Sequence, residues 1–133
     1  MFGINVNSAW PILITLALVL VTLALGAMQA VASTATPEFV YTANQIAHNV
    51  SAYKINPATG ALQEVRGSPY PAGKFPISVA VDPSGHFAYV ANNGAGDISA
   101  YTVDAKSGVL HLVDGSPFAS GKGPYSLVTT TTH

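Results

Sequence analysis

Few side chains in this sequence are arranged to do chemistry. The four histidines, His48, His86, His111 and His133, are too far apart to be read as one metal site, and cysteine is absent. Metal ligation, thiolate nucleophiles and disulfides therefore have no support, and no cofactor is expected. Asp82, Asp97, Asp104 and Asp114 stand at or beside turn sequences, where a carboxylate ordinarily bonds nearby backbone N–H groups. Glu64 is the one acid within a predicted strand, so no carboxylate pair for acid–base work can be assembled from spacing. The remaining candidates are loop residues: Asn92, Asn93 and Asp97 around Asn93-Gly94-Ala95-Gly96, with His48 beside Asn49 in a second loop. Carboxamides, a carboxylate and an imidazole on loops could hold a polar ligand. Each could equally brace its own turn.

Two apparent motifs fail on geometry. Gly121-Lys122-Gly123 places glycine where a phosphate loop needs Ser or Thr for magnesium. Ser51 and Lys54 have the spacing of a serine–lysine pair, but residues three apart in a strand point to opposite faces. Net charge is −1 and the five basic residues are scattered, which excludes a nucleic-acid footprint. Charged residues make up only 8% of the 133, against about 25% in an ordinary soluble domain.

Part of that deficit lies at the N-terminus, where the first charged side chain is Glu38. Residues 12–28 form an uninterrupted uncharged run that is expected to be helical, preceded by Pro11. Ala30-Val31-Ala32 follows, with the small-x-small pattern of a signal-peptidase site. Residues 1–32 read as a signal peptide or, alternatively, a single-span anchor, and 33–38 as a linker. The expected location is periplasmic or extracellular, with membrane contact only through this segment.

From Phe39 the chain repeats itself at a spacing of 48 residues without a gap. Phe39, Tyr41, Ala43 and Asn44 fall on Phe87, Tyr89, Ala91 and Asn92. Ser51-Ala52-Tyr53 falls on Ser99-Ala100-Tyr101, Gly67-Ser68-Pro69 on Gly115-Ser116-Pro117, and Gly73-Lys74 on Gly121-Lys122. The repeats are 39–86 and 87–133. Within them, β-branched and aromatic runs alternate with turn sequences such as Asp82-Pro83-Ser84-Gly85. Strands are predicted at 77–81, 87–92, 98–103 and 109–113, with a crossover over 115–124 and a further, unpaired strand at 125–129. Nothing after Glu38 has helical periodicity. The fold class is all-β: two four-stranded antiparallel repeats of propeller-blade length.

The segment Pro76-Ile77-Ser78-Val79-Ala80-Val81-Asp82-Pro83-Ser84-Gly85, continuing to Tyr89-Val90-Ala91-Asn92, resembles the YVTN-type signature of lactonase-family, 6-phosphogluconolactonase-like seven-bladed β-propellers. Alanine takes the place of the usual threonine in that last element. The resemblance spans residues 38–128 and rests on positions that build blades. It implies a propeller, with Asn92, Asn93, Asp97 and His48 on loops at one end of a channel. If the protein is an enzyme, the resemblance implies a lactonase-type carboxylic ester hydrolase; no catalytic residue can be carried over. Two blades are fewer than the four to eight of a propeller, so a fragment of a larger propeller is expected. The rival expectation is self-association through exposed blade faces, with the terminal strand exchanged between copies. The readings of function are an exported module that binds a small molecule or glycan or serves structurally, part of a sugar-lactone hydrolase, and a truncated remnant.

Overall fold

Short β-branched and aromatic runs become nine antiparallel strands in the computed structural model, which describes residues 36–131. The helix expected at 12–28, the expected leader at 1–32 and His133 lie outside the described residues. The first sheet holds β1 (Phe39–Asn44), β2 (Asn49–Ile55), β3 (Leu62–Glu64) and β4 (Tyr70–Pro71). The second holds β5 (Pro76–Val81), β6 (Phe87–Asn92), β7 (Asp97–Val103), β8 (Leu110–Leu112) and β9 (Phe118–Ala119), in the order β5-β6-β7-β8 with β9 also on β7. Each sheet is thus offset from the sequence repeat by one strand. β5 belongs to the first repeat in sequence but pairs with β6, placing Val79 opposite Val90 and Ala80 opposite Tyr89.

The outermost strand of each sheet comes in two pieces, and the repeated Gly-Ser-Pro explains why. β3 pairs with one end of β2 and β4 with the other. Between them the chain bulges away, leaving the Ala52 N–H without a backbone carbonyl. The Ser68 hydroxyl accepts that N–H at 3.0 Å, and Ser116 does the same for Ala100 at 2.9 Å. A serine side chain therefore completes the ladder where the strand is interrupted, as a buried N–H requires. The short β4 and β9 fall within stretches expected to be loops; two residues carry too little pattern to be legible as a strand. The predicted strand at 125–129 is not a strand in the structure. Tyr125 and Val128 are 81% and 85% exposed, and Thr129 Oγ1 donates to the Val81 carbonyl at 3.0 Å. A strand needs a neighbour to take its backbone bonds, and among the described residues this segment has none.

The core lies between the sheets. Val50, Ala52, Val65 and Tyr70 from the first form one cluster with Ala88, Val90, Tyr101, Val103 and Leu110 from the second. Alanines at the sheet centres permit close approach, and each buried Val or Leu stabilises by about 1.5–3 kcal/mol. At the junction, Tyr41 donates its hydroxyl to the Gly108 carbonyl at 2.9 Å. Phe39 lies so close that a Cβ on Gly108 would stand 2.4 Å from its ring. The equivalent Gly60 has nothing within 4 Å of that position. Burial follows the junction: Leu110 is 4% exposed, while its counterpart Leu62, away from it, is 53% exposed.

These two glycines separate backbone strain from steric clash. Both have positive φ, 71° and 74°, so alanine costs roughly 1–2 kcal/mol at either. Gly108→Ala should lose a further 1–3 kcal/mol or so by forcing Phe39 aside. Urea unfolding followed by circular dichroism should show a clearly larger loss for Gly108→Ala than for Gly60→Ala. Equal losses would place the two turns in the same environment.

Candidate functional site

Both sheets turn at the same end through tight hairpins, at Gln45–His48 and at Asn93–Gly96. The segments that lead on from each sheet, 72–75 and 120–124, pass beside these hairpins. The Ala72 N–H donates to the His48 carbonyl at 3.0 Å, and the Ser120 N–H to the Gly96 carbonyl at 3.1 Å. All four loop residues singled out from the sequence lie at this end.

Asn92 has no accessible surface. Its Nδ2 donates to Asp97 Oδ1 at 2.7 Å and to Ser99 Oγ at 2.9 Å, and its Oδ1 accepts the Gly73 N–H at 3.1 Å. A side chain so enclosed cannot meet a solute: Asn92 fixes the connecting segment to the hairpin, and Asp97 orients it. In the first sheet Asn44 repeats half of this arrangement, donating to Asn49 Oδ1 at 2.7 Å and Ser51 Oγ at 2.8 Å. Among the described residues no connecting segment donates to it. Gly73 was legible in sequence only as a repeat match. Its approach to Asn92, where a Cβ would stand 2.6 Å from the carboxamide, explains the glycine.

His48 adopts positive φ (56°) at the position where the second repeat has Gly96. Its Nδ1 accepts the Phe75 N–H at 3.1 Å, which sets the neutral ring's proton on Nε2. The rings of His48 and Phe75 meet edge to face, 5.0 Å apart at 84°. Asn93 donates from its backbone to the Phe75 carbonyl at 2.9 Å and from Nδ2 to the Pro124 carbonyl at 3.2 Å. Two lysines join this end. The Lys74 carbonyl accepts the Gly94 N–H at 3.0 Å, and the Lys122 Cα lies 4.0 Å from where a Cβ on Gly96 would stand. Both lysines are exposed. Isolated lysines carry no motif in sequence; their equivalence in the repeat is the signal available there.

The other polar cluster is structural. Asp82 takes the Ser84 hydroxyl and, through Oδ1, the N–H groups of His86 and Phe87 at 2.9 and 2.8 Å. His86 Nδ1 lies 3.0 Å from Ser84 Oγ. The serine stands between acid and imidazole with its proton given to the acid, the wrong order for a nucleophile. Ser84 and then the Phe87 N–H hold the Asp82 carboxyl below the usual carboxylate range; the Ser107 N–H does the same for Asp104. Among the described residues no three His, Asp or Glu side chains gather as metal ligands.

Two stacked, four- and five-stranded antiparallel sheets joined by a buried carboxamide bracket define blades of a β-propeller. The chain belongs to the lactonase family of seven-bladed β-propellers, whose family model matches residues 26–126. Solved structures share this fold at low identity. A candidate 6-phosphogluconolactonase from Bacteroides uniformis matches at TM-score 0.58 and 20% identity over 64% of this chain. A second, from Bacteroides fragilis, matches at 0.58 and 21%, also over 64%. A protein from Lactobacillus plantarum matches at 0.59 and 18% over 71%. The chain spans only 24%, 23% and 30% of their respective lengths. No curated protein matches it.

The junction has a pH signature. Burial, followed by the proximity of Tyr70 and Asp104, pushes the Tyr41 phenol up to about 12. A raised folded value contributes stability that is complete below the unfolded phenol's 10.0 and is lost as pH climbs towards 12. Between pH 10 and 12 the chain should lose stability more steeply than Tyr41→Phe, as read from urea midpoints. Parallel curves would remove Tyr41 from the alkaline transition.

Proposed function

We propose that this chain is an exported propeller module of the lactonase family, and that its hairpin end binds a small anionic sugar acid. The observation that carries this reading is the pair of exposed lysines, Lys74 and Lys122, anchored on either side of the Asn93–Gly96 turn with His48 and Asn93 nearby. Asp97 is the one carboxylate in this hairpin, so two positive charges face one negative. Charge-assisted bonds to a carboxylate or phosphate are worth about 1.5–3 kcal/mol each, enough for selective binding without turnover. Export is supported by the uncharged run at 12–28 and the Ala30-Val31-Ala32 pattern after it.

The alternative is that these blades form part of a sugar-lactone hydrolase. It is favoured by the names printed for the two Bacteroides structures, which are candidate 6-phosphogluconolactonases. In that case the reacting groups would come from blades beyond the two described.

Calorimetry and a lactone-hydrolysis assay separate the readings. 6-Phosphogluconate should bind, gluconate should bind more weakly, and Lys122→Ala should weaken the first by about tenfold, or ~1.4 kcal/mol. 6-Phosphogluconolactone should disappear no faster than its spontaneous rate. Accelerated hydrolysis would favour the enzyme reading; no binding of either acid would overturn the proposed one.

A further inference from the structure

Among the described residues, two that are not glycine hold the left-handed backbone conformation: His48 at φ 56° and Phe75 at φ 50°. The repeat aligns them with Gly96 and Gly123, which take the same conformation at 75° and 64°. The second repeat meets this backbone demand with residues that have no Cβ to clash. The first meets it with an imidazole and a phenyl ring, at a cost in strain. The two strained residues touch: the Phe75 N–H donates to His48 Nδ1 at 3.1 Å, and the rings meet edge to face 5.0 Å apart. Phe75 is also tied to the second hairpin. Its carbonyl accepts the Asn93 N–H at 2.9 Å, and a side chain on Gly94 would collide with its ring. Held by both hairpins, Phe75 is still 46% exposed. The sheets on either side of it are both described, so this is not the exposure of an outer sheet face.

We propose that the exposed part of the Phe75 ring is a platform for the sugar ring of the bound anion, so that the hairpin end selects pyranose-ring sugar acids over open-chain ones. This rests on the sugar-acid reading above and adds the form of the sugar to it. Strain kept at a candidate site points to a role for the side chains that carry it, and here glycine would serve the backbone better at both positions. One face of a pyranose carries C–H groups whose slightly positive hydrogens meet the negative face of a phenyl ring. An open-chain acid has no such flat face, and it gives up more rotational freedom on binding. Lys74 precedes Phe75 directly in the chain and is exposed, so the platform and a charge for the acid group come from one short segment. His48 fixes that segment through the Phe75 N–H and acts as a positioning residue.

The test uses the full chain in a mild detergent that keeps its apolar segment in solution. Glucuronate and gluconate have the same charge and carbon number, the first as a ring and the second as an open chain. Calorimetric titration should give glucuronate an affinity about fivefold above gluconate, the scale of one stacked aromatic contact. Phe75→Leu keeps an apolar side chain and should bring the two acids to equal affinity, whereas Phe75→Tyr should retain the preference. Phe75→Gly copies Gly123 and relieves the strain, so it gives the same reading even if Phe75→Leu does not fold. 6-Phosphogluconate, also an open chain, is titrated alongside as the measure of the sugar-acid reading itself. If it binds while the unaltered chain holds glucuronate and gluconate equally, the inference is overturned and the sugar-acid reading stands. A glucuronate preference that survives both Phe75→Leu and Phe75→Gly also overturns the inference, and makes Phe75 a wedge between the hairpins only. No binding of any of the three acids overturns both.

Discussion

Asn92 is sealed from solvent at the centre of the hairpin end, so its carboxamide must find every partner within the chain. It does so by gripping two segments through three bonds: the connecting segment at Gly73, and β7 at both Asp97 and Ser99. This grip fixes where the chain leaves the first sheet and enters the second. Gly73 can come close enough only because it has no side chain. The spacing between the sheets, and hence the packing of Phe39 and Tyr41 on the Gly108 turn, follows from that single attachment.

The repeat makes the molecule its own control. Leu110 and Leu62, Phe39 and Phe87, Gly108 and Gly60 are chemically matched positions that differ only in whether a neighbouring sheet covers them. The covered member of each pair packs at the junction between the sheets and the uncovered member is exposed. Apolar faces of this kind mark interaction surfaces. The hairpin end carries the exposed Lys74 and Lys122, which the proposed function uses for a small polar ligand, while the outer faces are apolar.

Much of this architecture was legible in the sequence because its signals were local and doubled. Phe87-Ala88-Tyr89-Val90-Ala91-Asn92 is β-branched or aromatic, ends at a turn, and recurs one repeat earlier. β4 and β9 were not legible, because two-residue strands have no period. The segment at 125–129 carried a strand pattern without a strand, since pairing is supplied by tertiary context and not by propensity. The loop candidates lie together at one end of the sheets, but their roles could not be read from residue type. Asn92 looked like Asn93, and only burial distinguishes a bracket from an accessible polar group. Ser68 and Ser116, which complete the interrupted strands, were visible as a repeated Gly-Ser-Pro without their purpose.

The claim that a buried carboxamide sets the junction is tested most directly by comparing Asn92→Ala with Asn44→Ala in urea unfolding. Asn92 has a connecting segment to hold and Asn44, among the described residues, does not. Leaving the buried Ser99 without its partner costs about 1–3 kcal/mol, and the half-buried Gly73 and Asp97 each add a smaller loss. The account predicts a loss of roughly 3 kcal/mol or more for Asn92→Ala and about 1 kcal/mol for Asn44→Ala. Equal losses would contradict it, and would mean that the asparagines brace only their own hairpins while the sheets are joined by apolar packing and the tyrosine hydroxyl bonds.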